Sequence, residues 1–136
     1  MRIIEFAFGG GNDNTHLPHN YTHNSVVYGG THDNETLKGY YQAREGWERH
    51  YACEYMGGKD ENDVEDLVNR VFHTAYASIA SVAIFQVQDL LGLDNSARMN
   101  APSTQGDNWK WRMTKGCLGS KERERLGRLA WMYRRE

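Results

Sequence analysis

The stretch "SVVYGGTHDNETLKGYY", residues 25–41, runs from an apolar segment through two glycines into a His-Asp-Asn turn, then into apolar positions at helical spacing. A short apolar run closed by glycine reads as a buried strand, and the spacing after it reads as a helix. Thr31, His32 and Asp33 then stand at the carboxyl end of the strand, the end at which β/α barrels carry catalytic groups. Asp33 or Asn34 equally suits the cap of the following helix, where a short acceptor side chain satisfies a free N–H. Spacing alone leaves both roles open.

The same grammar repeats on either side. "RIIEFAF" (2–8) and "SVAIFQV" (81–87) read as two further buried strands, the first followed by a polar loop rich in Gly, Asn and His. Leu37, Tyr40, Tyr41, Trp47, Tyr51 and Tyr55 predict one helix over 35–56, despite Gly39 and Gly46. After "GGKDEN", Asn62 with Glu65 predicts a helix start, and Val64, Leu67, Val68, Val71, Phe72, Ala75, Tyr76 and Ile79 keep the 3.6-residue period. "QDLLGL" predicts a short turn or helix and 94–118 an irregular loop. Ser120 suits the cap of a last helix with Leu126, Leu129, Ala130 and Tyr133 on its apolar face. Strands alternating with helices argue for parallel strands joined by helical crossovers, so the fold class is α/β.

Composition narrows the class. The 136 residues are enough for one domain, and a net charge of −2 with 39% hydrophobic residues suits a folded soluble protein. No apolar run approaches the roughly 20 residues of a membrane span, and "MRIIEFAFGGG" lacks a cleavage site, so no membrane or export signal is read and a cytoplasmic setting is expected. Cys53 and Cys117 fit no metal or disulfide spacing. Residues 109–136 hold nine Lys/Arg against three Asp/Glu. With Trp109 and Trp111 nearby, such a tail can contact nucleic acid, but its charges fit the solvated face of a helix better, and nucleic acid is not expected as a partner.

Other motifs carry less. His16, His19 and His23 have a spacing that can surround a metal, yet solvated loop histidines explain it as well, and no metal is expected. "NDNTHLPHN" lacks the glycine and glutamate of a calcium loop, and "GGG" at 9–11 lacks the rest of a phosphate-binding fingerprint. "ARMNAPSTQGDNWKWR" (97–112) is longer than most structureless loops, which makes it a functional candidate. Its amide, arginine and indole groups suit sugar hydroxyls and sugar faces, and its tryptophans suit core anchors equally.

Taken together, "IIEFAF", "LPHNY", "VVYGGTHDNET", "SVAIFQVQDLLGL" and "ARMNAPSTQGDNWKWR", with the closing helix, resemble in order and spacing the C-terminal part of the 4-α-glucanotransferases, or amylomaltases, of the α-amylase clan. The resemblance runs across nearly the whole chain. It implies a (β/α) TIM barrel of which residues 1–136 form one segment, about the last three strands with their helices. It implies transfer of α-1,4-glucan segments between sugars with retention, and no cofactor. Asp33 matches the transition-state-supporting aspartate of that family, His32 its neighbouring histidine and Asn100 a substrate contact. The family's nucleophile and acid/base lie upstream of the segment matching "IIEFAF", and no carboxylate here matches them. Retaining chemistry needs both, roughly 5–5.5 Å apart. The expectation is therefore a fragment inactive by itself, with a non-catalytic glucan-binding module or a half that complements a separate N-terminal half as alternatives. Exposed strand edges make a homo-oligomer the expectation. Gly29, Gln86, Ser103 and Asp107 depart from the family pattern, which has threonine, proline and two glycines there.

Overall fold

The computed structural model describes residues 1–135. Three short parallel strands, β1 (Arg2–Ile3), β2 (Val26–Tyr28) and β3 (Val82–Ile84), form one sheet in the order β1-β2-β3. Arg2 pairs with Val27, and Val27 with Ala83. Among the described residues five α-helices accompany the strands: α1 (Leu37–Ala43), α2 (Gly46–Tyr55), α3 (Val64–Ala77), α4 (Val87–Leu90) and α5 (Ser120–Met132). Strand order following chain order, with helices between parallel neighbours, is the crossover arrangement the alternating sequence predicts.

The strongest helical period belongs to α3. Asp63, rather than Asn62, caps it, its carboxylate accepting from Asp66 N at 3.0 Å. Leu67, Val71, Phe72 and Ala75 are fully buried along one stripe. Phe72 is held from two sides: the Phe85 ring stacks on it at 4.0 Å and the Arg125 guanidinium of α5 lies 4.3 Å from its centroid. At the other end, Arg135 donates to the carbonyls of Tyr76 and Ala80 at 2.6 and 2.8 Å, satisfying groups left free beyond the last turn of α3.

Several expectations need correction. The single helix over 35–56 is two, because Arg44 and Glu45 are extended and Gly46 takes a φ of +66°, a region open to glycine at little cost. The Tyr40 hydroxyl bridges the break by donating to Glu48 Oε1 at 2.6 Å. Neither Asp33 nor Asn34 caps α1; Thr36 does, its hydroxyl oxygen accepting from Gly39 N at 3.1 Å. Ser120 is the first residue of α5 rather than its cap, and the Glu122 carboxylate takes the Gly119 N–H at 2.8 Å. "RIIEFAF" is extended only over Arg2–Ile3 and then turns as a 3-10 helix, Ile4–Phe6. β3 is not buried: Val82 and Ile84 are 46% and 42% exposed, while the alternate residue, Ala83, packs on the core. The helices cover one face of the sheet, and nothing among the described residues covers the other side of β3.

Candidate sugar site at the strand ends

The N-terminus of α1 ties the strand ends together. Its free N–H groups are taken by side chains distant in sequence: Asp89 Oδ1 accepts from Leu37 N at 2.7 Å, and Asn95 Oδ1 accepts from Thr36 N at 3.2 Å. Asn95 gets this close because residue 39 is glycine; a Cβ there would lie 2.1 Å from Asn95 Oδ1. The turn after β2 is thereby fastened to the segment after β3. Sequence distance is removed by capping chemistry.

Within the turn, Asn34 Oδ1 accepts from Thr31 N and Thr31 Oγ1 at 2.9 and 2.7 Å. Asn34 thus closes its own turn and leaves Asp33 outside it. Asn100 Nδ2 donates to Asp33 Oδ1 at 2.7 Å, and His32 Nε2 lies 3.4 Å from the same oxygen. Arg98 holds the arrangement from behind, donating to the Asp33 carbonyl at 2.8 Å and to the Asn100 carbonyl at 2.9 Å. The Trp109 ring leans over His32, centroids 5.1 Å apart. The three residues singled out in the sequence, His32, Asp33 and Asn100, are therefore adjacent in space, and Arg98 joins them.

Side chains of both Asp33 and His32 are more than half exposed. Among the described residues the second oxygen of Asp33 has no hydrogen-bond partner, and exposed Trp109 offers an aromatic face beside it. A carboxylate, an imidazole, an amide and an indole on one open surface can bind hydroxyls and stack against an apolar sugar face. The loop reading of 94–118 holds apart from a single 3-10 turn at Asn95–Ala97. Ser103 sits at φ +64°, in the left-handed region that glycine enters most cheaply, which fits its standing where the family pattern has glycine.

The loop histidines take separate partners. His16 Nδ1 accepts from Ile3 N at 2.9 Å, His19 meets the Tyr55 hydroxyl at 3.0 Å, and His23 meets the Ile79 carbonyl at 3.2 Å. Among the described residues no three His, Cys, Asp or Glu side chains gather as a metal would need. No helix among the described residues is long and apolar enough to cross a membrane.

Two buried carboxyls lie under the site. Burial pushes Asp89 up to about 7, against the hydrogen bond from Leu37 that lowers it. Burial, with the charges of Asp89 and Glu35, pushes Glu5 up to about 9. Each group holds its proton more tightly folded than unfolded, so its stabilising contribution is complete below the unfolded value and is lost as pH rises through the folded one. For Asp89 the window runs from its ordinary 3.8 to about 7. Each pH unit inside it costs on the order of 1 kcal/mol. Thermal stability is expected to fall between pH 5 and 7, and Asp89→Asn to flatten that slope in melts followed by circular dichroism; an unchanged slope would contradict the assignment.

In open parallel α/β sheets ligands bind outside the carboxyl ends of the strands, the edge at which these polar side chains gather. Residues 1–118 match the family described as 4-alpha-glucanotransferase. The 4-alpha-glucanotransferase DPE1, chloroplastic/amyloplastic, of Arabidopsis thaliana is 46% identical over 113 residues, covering 83% of this chain and 19% of that protein. The 4-alpha-glucanotransferase of Streptococcus pneumoniae is 41% identical over 136 residues, covering 99% of this chain and 26% of that protein. The solved amylomaltase from Streptococcus agalactiae in complex with acarbose superposes with a TM-score of 0.89 at 35% identity, over 99% of this chain and 27% of that one. The chain belongs to the 4-alpha-glucanotransferase family. It spans about a fifth to a quarter of the length of these relatives.

Proposed function

We propose that these 136 residues supply the last three strand-and-helix units of a glucanotransferase (β/α) barrel, with Asp33 as the carboxylate that supports the glycosyl transition state. The hydrogen bond from Asn100 to Asp33, at 2.7 Å across 67 positions, carries this reading. It joins the loop after β3 to the turn after β2 and orients one carboxylate oxygen. Retaining transfer of an α-1,4-glucan segment passes through an oxocarbenium-like state, which a fixed carboxylate and sugar-hydroxyl hydrogen bonds stabilise. In this reading Asp33 faces the developing positive charge, and His32 and Asn100 bind hydroxyls of the same sugar. The nucleophile and acid/base come from outside these residues, so the 136-residue chain is inactive by itself. No cofactor takes part, and the setting is cytoplasmic.

Exposed Val82 and Ile84 favour a partner on the open side of β3. Alone, the chain associates with itself there, and a light-scattering mass of one chain at micromolar concentration would contradict this. Exposed Trp109, tilted over His32, favours a second reading in which the chain binds glucan without turnover. Both readings require sugar binding. Titration calorimetry with maltoheptaose is expected to give measurable heat that Asn100→Ala removes; no heat at millimolar sugar would count against both.

A further inference from the structure

We propose that Glu5 is the positioning residue of this site: its carboxyl group, wedged between Gly30 and Asn34, fixes the Thr31–Asn34 turn that presents Asp33. The proposal rests on the glucan-site reading for its consequence and on geometry of its own for its substance. Glu5 follows β1 directly, and its N–H donates to the Gly29 carbonyl at 3.2 Å. Its side chain is 3% exposed, and Oε1 has no hydrogen-bond partner among the described residues. Residue 30 is glycine where Oε1 presses closest: a Cβ there would lie 2.6 Å from that oxygen and 3.2 Å from Asn34 Cβ. The carboxyl thus fills the space beneath the turn that a larger residue 30 would occupy.

Charge decides whether the wedge works. Glu35 from the turn, Asp89 from α4 and fully buried Tyr41 from α1 face the carboxyl, and Arg44 at the end of α1 is the cation set against them. Burial and the two neighbouring carboxylates keep it protonated up to about pH 9. In that state it has one O–H to donate, and it adds no negative charge beside Glu35 and Asp89. It also borders an open polar cleft of about 430 Å³, shared with Glu35, Tyr40, Arg44, Glu48 and Arg98. Arg98 is the side chain that holds the Asp33 and Asn100 carbonyls, so the cleft reaches the back of the site. Ionised, Glu5 would repel Glu35 and Asp89 and shift the turn that carries His32 and Asp33.

Carbon-detected NMR of the complete chain tests this without sugar. Between pH 7 and 10 the Thr31 and Asn34 carbon signals are expected to move together with the Glu5 carboxyl signal, midpoint about 9. Glu5→Gln, similar in shape and never charged, should leave the neutral-pH signals in place and abolish the movement. Asp89→Asn should lower the midpoint, and Glu5→Ala should displace the turn signals already at pH 7. Turn signals that stay fixed while Glu5 titrates, or that Glu5→Ala leaves unmoved, would overturn the proposal. With maltoheptaose, Glu5→Ala is expected to weaken binding roughly tenfold while Glu5→Gln retains it. Equal binding by both variants would overturn the positioning role, whereas a wild-type chain that releases no heat overturns the sugar reading and leaves the NMR result to decide on Glu5.

Discussion

Phe72→Ala is expected to lower the unfolding free energy by about 3–5 kcal/mol, the usual range for truncating a buried phenylalanine. The ring is fully buried and belongs to the hydrophobic core. One face stacks on Phe85 just after β3, and the Arg125 guanidinium from α5 meets the ring as well. Truncation therefore removes ring burial, one aromatic stack and one cation–π contact at a single position. Folded domains have a stability of roughly 5–15 kcal/mol, and a sheet uncovered on one side puts this chain toward the lower end. The substitution should consume a large part of that margin. Urea denaturation followed by tryptophan fluorescence reads the change, with Trp131→Ala as the control, because that side chain is 78% exposed and should shift stability by no more than about 0.5 kcal/mol. A loss under 1 kcal/mol for Phe72→Ala would contradict the account of the core.

The second large effect concerns chemistry. When the chain is combined with the upstream portion of a relative, such as the Streptococcus pneumoniae enzyme, Asp33→Asn is expected to cut transfer activity by roughly 100- to 1,000-fold or more, the scale on which a preoriented electrostatic group acts. The substitution keeps the shape and the ability to accept from Asn100 Nδ2, and it removes the charge that the proposed role sets against the oxocarbenium-like state. The loss should fall on turnover rather than on sugar affinity, since the interaction is strongest in the transition state. Asn100→Ala should weaken affinity as well, because it removes a donor and frees Asp33 to turn. If Asp33→Asn changed affinity alone, Asp33 would be a sugar contact without a part in the chemistry.

How far the sequence reaches is visible in particular residues. The helix over Val64–Ala77 is legible because Leu67, Val71, Phe72 and Ala75 repeat at the helical period with no glycine to interrupt them. The break between α1 and α2 had a signal in Gly46, but aromatic spacing continues across it and hides the change of direction. β3 is recognisable as a strand from its composition, whereas its exposure is not, since an apolar side chain records that it is meant to be covered without saying by what. The roles of Asp33 and Asn34 separate only in three dimensions, where Asn34 closes the turn and Thr36 takes the cap. No periodicity links Asp33 to Asn100: the strand-end position marked Asp33, the resemblance alone named Asn100, and capping by Asp89 and Asn95 explains why they meet. Arg98, two residues from Asn100, stood out only as one arginine of a candidate sugar-binding loop and not as a tie between segments, because its partners are backbone carbonyls that any fold could supply.

The most direct test of the central claim is incubation of the purified chain with maltotriose, alone and with the upstream portion of a relative, followed by chromatography for glucose and longer maltooligosaccharides. The chain alone should form none, and the mixture should form both, with products lost when Asp33→Asn replaces the wild type. Products from the chain alone that vanish with Asp33→Asn would mean that these residues already contain a complete catalytic set, and the assignment of Asp33 as one member of a site completed from outside would be wrong.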